Sequence, residues 1–233
     1  MSTIKIKFDP NQEHQNEAVT SIVSLFDGLF RADTGAFDLS DEITPNIPPY
    51  YQFDQSWLQD NLQEIQRNNN IAESLAVDVD SGFMVDGVSN DTWEYPSFTI
   101  DMETGTGKTY VYLKMIYELH KHYGLRKYII IVPSIAIYEG VIKSFEMTRE
   151  HFKAIYGNEN IHLYSYEGSK PNLLKHFAVG DDIEILLMTI DSFNKKANKS
   201  LYGEDLSVRD IILSGHVSPP ESASRILNDL EKY

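Results

Sequence analysis

The chain has 233 residues, enough for one large domain or a core domain with an attached subdomain, and its 42% hydrophobic and 24% charged residues are ordinary for a globular protein. It has no cysteine, which excludes disulfides, thiolate zinc sites and cysteine nucleophile chemistry. Its formal charge of -15 is uneven: residues 1–100 carry 17 acidic and 4 basic side chains, whereas residues 101–233 carry 18 and 16, so the first part is unsuited to non-specific nucleic-acid binding and a basic groove is compatible only with the second.

No apolar stretch reaches transmembrane length, and the amino terminus lacks a basic region followed by an apolar one, so the cytoplasm is the expected compartment. Residues 11–30 read as an amphipathic helix, because Ala18, Val19, Ile22, Val23, Phe26 and Leu29 recur at helical spacing after the start signal Asp9-Pro10-Asn11. The segment 32–95 is acidic and polar, with Pro45, Pro48 and Pro49 close together and a run Asn68-Asn69-Asn70. It reads as an irregular acidic insertion in which residues 55–76 hold one or two helices through Leu58, Leu62, Ile65 and Ile71.

After Pro96 short apolar runs alternate with helical segments. The expected strands are 97–101, 127–132, 161–165, 183–189 and 210–213, and the expected helices are 107–123, 135–150, 170–178, 190–197 and 220–232. Gly124 is placed to stop the helix that begins at 107, since it takes positive φ without a Cβ penalty. Near-continuous apolar strands separated by helices predict an α/β fold, a mostly parallel sheet with helices on both faces. The organisation expected is thus an amino-terminal helix over 1–31, the insertion over 32–95, and the core domain over 96–233.

The most informative stretch is Met102-Glu103-Thr104-Gly105-Thr106-Gly107-Lys108-Thr109, set between the strand-like Phe98-Thr99-Ile100 and the helix that follows. Gly105 and Gly107 permit a tight turn whose amides, from Gly105 to Thr109, face an anion. Lys108 adds a positive charge for the β- and γ-phosphates, and Thr109 a hydroxyl for Mg²⁺. This is the pattern of a P-loop for a nucleoside triphosphate with Mg²⁺, except that the strict pattern has glycine where this chain has Met102.

On these residues the chain resembles the superfamily 2 helicases and translocases, whose first motif tolerates that exchange, and more narrowly the restriction (Res) subunit of type III restriction–modification enzymes. Three further stretches carry the resemblance. Phe8-Asp-Pro-Asn-Gln-Glu-His-Gln15-Asn-Glu-Ala18 is similar to the glutamine-containing helix start of this family, which implies that Gln15 reads adenine. The alternative is a surface glutamine on an amphipathic helix. Ile129 to Ile137, with Pro133 and Ser134, looks like the family's strand end that touches the nucleic-acid backbone, though a buried strand ended by proline reads alike. Leu187-Met188-Thr189-Ile190-Asp191-Ser192-Phe193-Asn194-Lys195-Lys196 resembles another nucleic-acid-facing strand end; Lys195, Lys196 and Lys199 equally suit a solvated helix end.

The resemblance implies a RecA-like P-loop NTPase domain, with Lys108 catalytic and Gln15, Thr104, Gly105, Thr106, Gly107, Lys108 and Thr109 binding ATP. Thr109 would hold the metal, and Ser134, Thr189, Lys195 and Lys196 would contact double-stranded DNA. The implied activity is ATP-dependent translocation before DNA cleavage, with a methyltransferase (modification) subunit as partner.

The family's acidic pair at the end of a later strand falls here on Leu213 and Ser214, ahead of His216, with Asp210 at the strand start. A second motor domain and the family's nuclease signature are not evident in the 233 residues. The expectation is therefore a truncated or degenerate Res-like chain, or a fragment, without hydrolysis on its own. The seven histidines show no paired metal spacing. The alternatives are another superfamily 2 helicase, or a degenerate nucleotide-binding or interaction module.

Overall fold

A computed structural model describes residues 7–29, 46, 55–83, 92–166, 173, 176–177 and 179–194. The elements are α1 (Glu13–Ser24), α2 (Gln55–Asn68), β1 (Asp78–Phe83), β2 (Thr92–Ser97), α3 (Lys108–Tyr123), β3 (Lys127–Val132), α4 (Ile135–Tyr156), β4 (Ile161–Tyr166), β5 (Ile183–Thr189) and α5 (Ile190–Asn194). The centre is a parallel sheet in the order β3-β5-β4. Register pairs Val132 with Thr189 and Tyr166 with Met188, so all three strands end on one edge.

Alternation along the strands sends residues to two covered faces. Tyr128, Ile130, Leu163, Ile183, Ile185 and Leu187 pack against α3 and α4, through Leu113, Ile116, Tyr117, Val141 and Phe152. Leu186, Met188 and Tyr166 on the opposite face meet Phe177, within a segment whose described residues are helical. Every residue of β5 from Ile183 to Met188 is buried, as a central parallel strand requires. The α/β, RecA-like expectation is met, with strands 127–132 and 183–189 at the predicted bounds and β4 one residue longer.

Helix α3 begins one residue after the predicted 107 and ends as anticipated: Gly124 takes φ +73° and its N–H donates to the His120 carbonyl at 2.8 Å. Helix α4 runs past the predicted 150, because Val141, Phe145, Thr148 and Phe152 continue the inward spacing, and it stops at Gly157 with φ +86°. Helix α1 is shorter than the predicted 11–30; its ladder gives way to turns at Leu25. It lies along α3: the Lys114 ammonium donates to Pro10 O and Asn16 Oδ1, and the Tyr123 hydroxyl to Val23 O and Asp27 Oδ1.

Two expectations need correction. Residues 98–101 form no strand; the strand ahead of the turn is β2, and it pairs antiparallel with β1, outside the parallel sheet. A two-stranded ribbon accepts Pro96, which lacks the N–H that a central strand needs on both sides. The described part of 32–95 is also less irregular than its composition suggests, since it supplies the single helix α2 and both ribbon strands begin in it. Helix α2 docks through Asn61, whose amide donates to Leu25 O and Asp27 O, and through buried Leu58. The strand expected at 210–213 and the helix at 220–232 lie outside the described residues, and helix 170–178 is described only in part.

Candidate functional site

The turn before α3 sits at the sheet edge where the strands end. Tyr112, one helical turn past Lys108, packs beside Val132, Tyr138 and Leu187. Gly105 and Gly107 take φ +86° and +89°, a left-handed conformation that disfavours L side chains. Gly107 is the N-cap of α3 and brings no capping side chain, so the amides of Lys108, Thr109 and Tyr110 open the helix without one. Their dipoles and the helix end favour an anion there. Lys108 is exposed, and its Nζ donates to the Glu103 carbonyl at 2.7 Å, spanning the turn. Thr106 Oγ1 closes the same turn onto Glu103 O at 2.7 Å. Thr104 is exposed and Thr109 half-buried at the second helical position.

Gln15 is buried, and its Nε2 donates to the Thr106 carbonyl at 2.9 Å. His14 Nε2 approaches the same carbonyl at 3.2 Å. Gly107 lies so close beneath that a Cβ there would stand 2.5 Å from Gln15 Nε2. Helix α1 thus reaches over the turn, and the glutamine picked out for adenine is bonded to the turn itself through its amide nitrogen. His14 and the Glu103 carbonyl were not singled out from sequence; adjacency to Gln15 and to the glycines is the only signal they carry.

Ser134 lies two residues beyond the end of β3, and Thr189 ends the neighbouring β5, where it pairs with Val132. Ser134 caps α4, its Oγ accepting from Ile137 N at 3.4 Å. Thr189 Oγ1 accepts from Ser192 N at 3.2 Å at the start of α5. The stretch Pro133–Ile137 is exposed, with Ile135, Ile137 and Ile190 offering apolar surface beside the two hydroxyls. Lys195 and Lys196, with Lys199, lie outside the described residues.

Among the described residues no helix is long and apolar enough to cross a membrane. Comparison with known proteins agrees with the fold. A family model described as "Type III restriction enzyme, res subunit" matches residues 10–228. The chain is similar to the EcoP15I Res subunit of Escherichia coli, 28% identical over 166 residues, and to the EcoPI Res subunit of Escherichia phage P1, 30% identical over 165 residues; each alignment takes in 70% of this chain and 15% of the relative. The StyLTI Res subunit of Salmonella typhimurium is 48% identical over 67 residues, 28% of this chain and 7% of that protein. The chain therefore spans a small fraction of the relatives it matches. With a P-loop turn at the end of a parallel sheet and a family match over nearly its whole length, the chain belongs to the type III restriction enzyme Res subunit family.

Proposed function

We propose that this chain binds ATP with Mg²⁺ in the turn 104–109 and DNA along the adjoining sheet edge, as the nucleotide-binding part of a type III-like DNA restriction endonuclease that translocates before cleavage. The observation that carries the reading is the left-handed pair Gly105 and Gly107 leading into uncapped helix amides, with Lys108 beside them. Those groups suit a nucleotide's phosphates, because helix-start amides without a capping side chain lie beside a lysine and the helix end favours negative charge. The Lys108 ammonium would exchange the Glu103 carbonyl for β- and γ-phosphate oxygens, a gain because a charged acceptor makes the stronger bond. Thr109 would present its hydroxyl to the metal, which would supply positive charge against the phosphates.

Gln15 would keep its amide nitrogen on Thr106 O and offer its carbonyl oxygen to the adenine amino group, joining base recognition to the shape of the turn. DNA phosphates would meet the exposed amides at the start of α4 and the Ser134 and Thr189 hydroxyls, with Lys195 and Lys196 adding charge. A methyltransferase subunit would supply site recognition in the assembled system. The alternatives, another superfamily 2 helicase or a nucleotide-binding module without catalysis, share this nucleotide site.

The test is titration of a fluorescent ATP analogue with Mg²⁺ against the protein and its Lys108→Ala variant. Saturable binding weakened by Lys108→Ala is expected; equal affinity would remove the claim. Nucleotide-dependent binding of duplex DNA that weakens steeply with salt would support the DNA part.

A further inference from the structure

At the opposite edge of the sheet, where the three strands begin, the register places His162 of β4 directly beside Glu184 of β5. Asp182 stands in the bend one residue ahead of β5, two residues before Glu184. One ligating atom from each of His162, Asp182 and Glu184 lies within 4.8 Å of the other two. His162 Nε2 is already 3.1 Å from Asp182 Oδ2. We propose that His162, Asp182 and Glu184 bind a divalent first-row cation of the zinc class, in a site separate from the nucleotide turn.

Glu184 supplies an observation independent of the clustering. It is 2% exposed, its Oε1 is packed against Gly180, and its buried Oε2 has no hydrogen-bond partner, while the Tyr164 hydroxyl, two residues beyond His162, faces the same carboxylate. A carboxylate oxygen held out of water without a partner costs free energy that a coordinated cation returns. The other ligands lead outward from it: Asp182 is half-buried and His162 exposed, so an ion has a path from solvent. Asp182 Oδ1 accepts from Asn160 Nδ2 at 3.3 Å, which aims Oδ2 at the imidazole.

Lys127 is the opposing charge, since it pairs in register with Glu184 from β3. Its ammonium is turned to the carbonyls of Phe177 and Gly180 and stands over the Phe177 ring. Tetrahedral ligands at about 2.0–2.2 Å from a metal lie about 3.5 Å apart, so small side-chain rotations close the triad. One imidazole and two carboxylates suit zinc, cobalt or nickel better than magnesium, which prefers oxygens alone. Three protein ligands leave a position for water. The 16-residue helix α3 separates the two edges by about 24 Å at 1.5 Å per residue, so a cation here would not touch the triphosphate. It would staple the start of β4 to the start of β5.

The experiment titrates Zn²⁺ into the chelator-treated 233-residue protein by calorimetry and follows thermal melting with and without the ion. Binding of about one equivalent is expected, with a higher melting temperature. His162→Ala and Asp182→Asn each reduce affinity by at least roughly tenfold and remove the thermal gain. Two variants serve as controls and should bind as the parent does: Lys108→Ala in the nucleotide turn, and His122→Ala, whose imidazole pairs with Glu118 on α3. Millimolar Mg²⁺ should not displace the zinc. The proposal is overturned if the parent binds no zinc, if both triad variants bind undiminished, or if His122→Ala is the variant that abolishes binding.

Discussion

Replacing Gly107 by alanine would strike the nucleotide turn in two ways. Its φ of +89° is a conformation that costs an L residue about 1–2 kcal/mol. The new Cβ would also stand 2.5 Å from Gln15 Nε2, so Gln15 must move and release the Thr106 carbonyl, a loss of about 0.5–1.5 kcal/mol. The turn can shed this strain by leaving the cradle geometry, and binding must restore it. The two effects together come to about 1.5–3.5 kcal/mol, or roughly tenfold to three-hundredfold in nucleotide affinity.

Gly105 isolates the first effect. Its φ is +86°, but nothing lies within 4 Å of a Cβ placed there, so Gly105→Ala should cost only about 1–2 kcal/mol, roughly five- to thirtyfold. The assay is equilibrium titration of a fluorescent ATP analogue with Mg²⁺ against both variants, in the parent and in a Gln15→Ala background. Truncating Gln15 removes the clash, so Gly107→Ala should there cost no more than Gly105→Ala. A Gly107→Ala penalty equal in both backgrounds, or no larger than that of Gly105→Ala, would refute the reasoning, because the contact with α1 would then play no part.

Phe152 is 1% exposed, with ring centroids 5.0 Å from Tyr117 and 5.1 Å from Tyr110, so Phe152→Ala should lower unfolding free energy by about 3–5 kcal/mol in urea; a loss below about 1 kcal/mol would mean that α4 does not bury it as described. Burial lowers the Lys127 ammonium to about 8 from 10.5, opposed by the charge of Glu184. Between those two values the unfolded chain holds more protons than the folded one, so stability should rise with pH from about 8 towards 10. Above 10 the trend reverses, because buried tyrosines such as Tyr117, raised to about 12, keep protons that the unfolded chain loses. Melts in EDTA should show the rise, and Lys127→Met should flatten it; an unchanged slope in the variant assigns it to other groups. Leu213 and Ser214 stand where the resemblance places the acidic pair, so phosphate release from ATP should stay at background with or without DNA; robust turnover would show that other residues hold the metal and water.

The chemistry of residues adjacent in the chain was legible without a structure. The order of glycines, lysine and threonine over 104–109 specifies a tight turn and a charge within a few residues, and in the structure Gly105 and Gly107 take positive φ in that turn. The apolar runs 127–132 and 183–189 are strands because their side chains can be buried only on two covered faces, a demand that local pattern already expresses. Pairing and approach are different, because they depend on partners far along the chain. Phe98-Thr99-Ile100 has the apolar character of a core strand, yet the ladder formed ahead of the turn is a ribbon between β1 and β2, for hydrogen bonds go to whichever edge the fold brings near. Gln15 is 91 residues from Thr106, and only the packing of α1 along α3 sets its amide on the turn. His162 and Glu184 likewise become neighbours only because β4 pairs with β5, a choice of strand order that no residue states by itself.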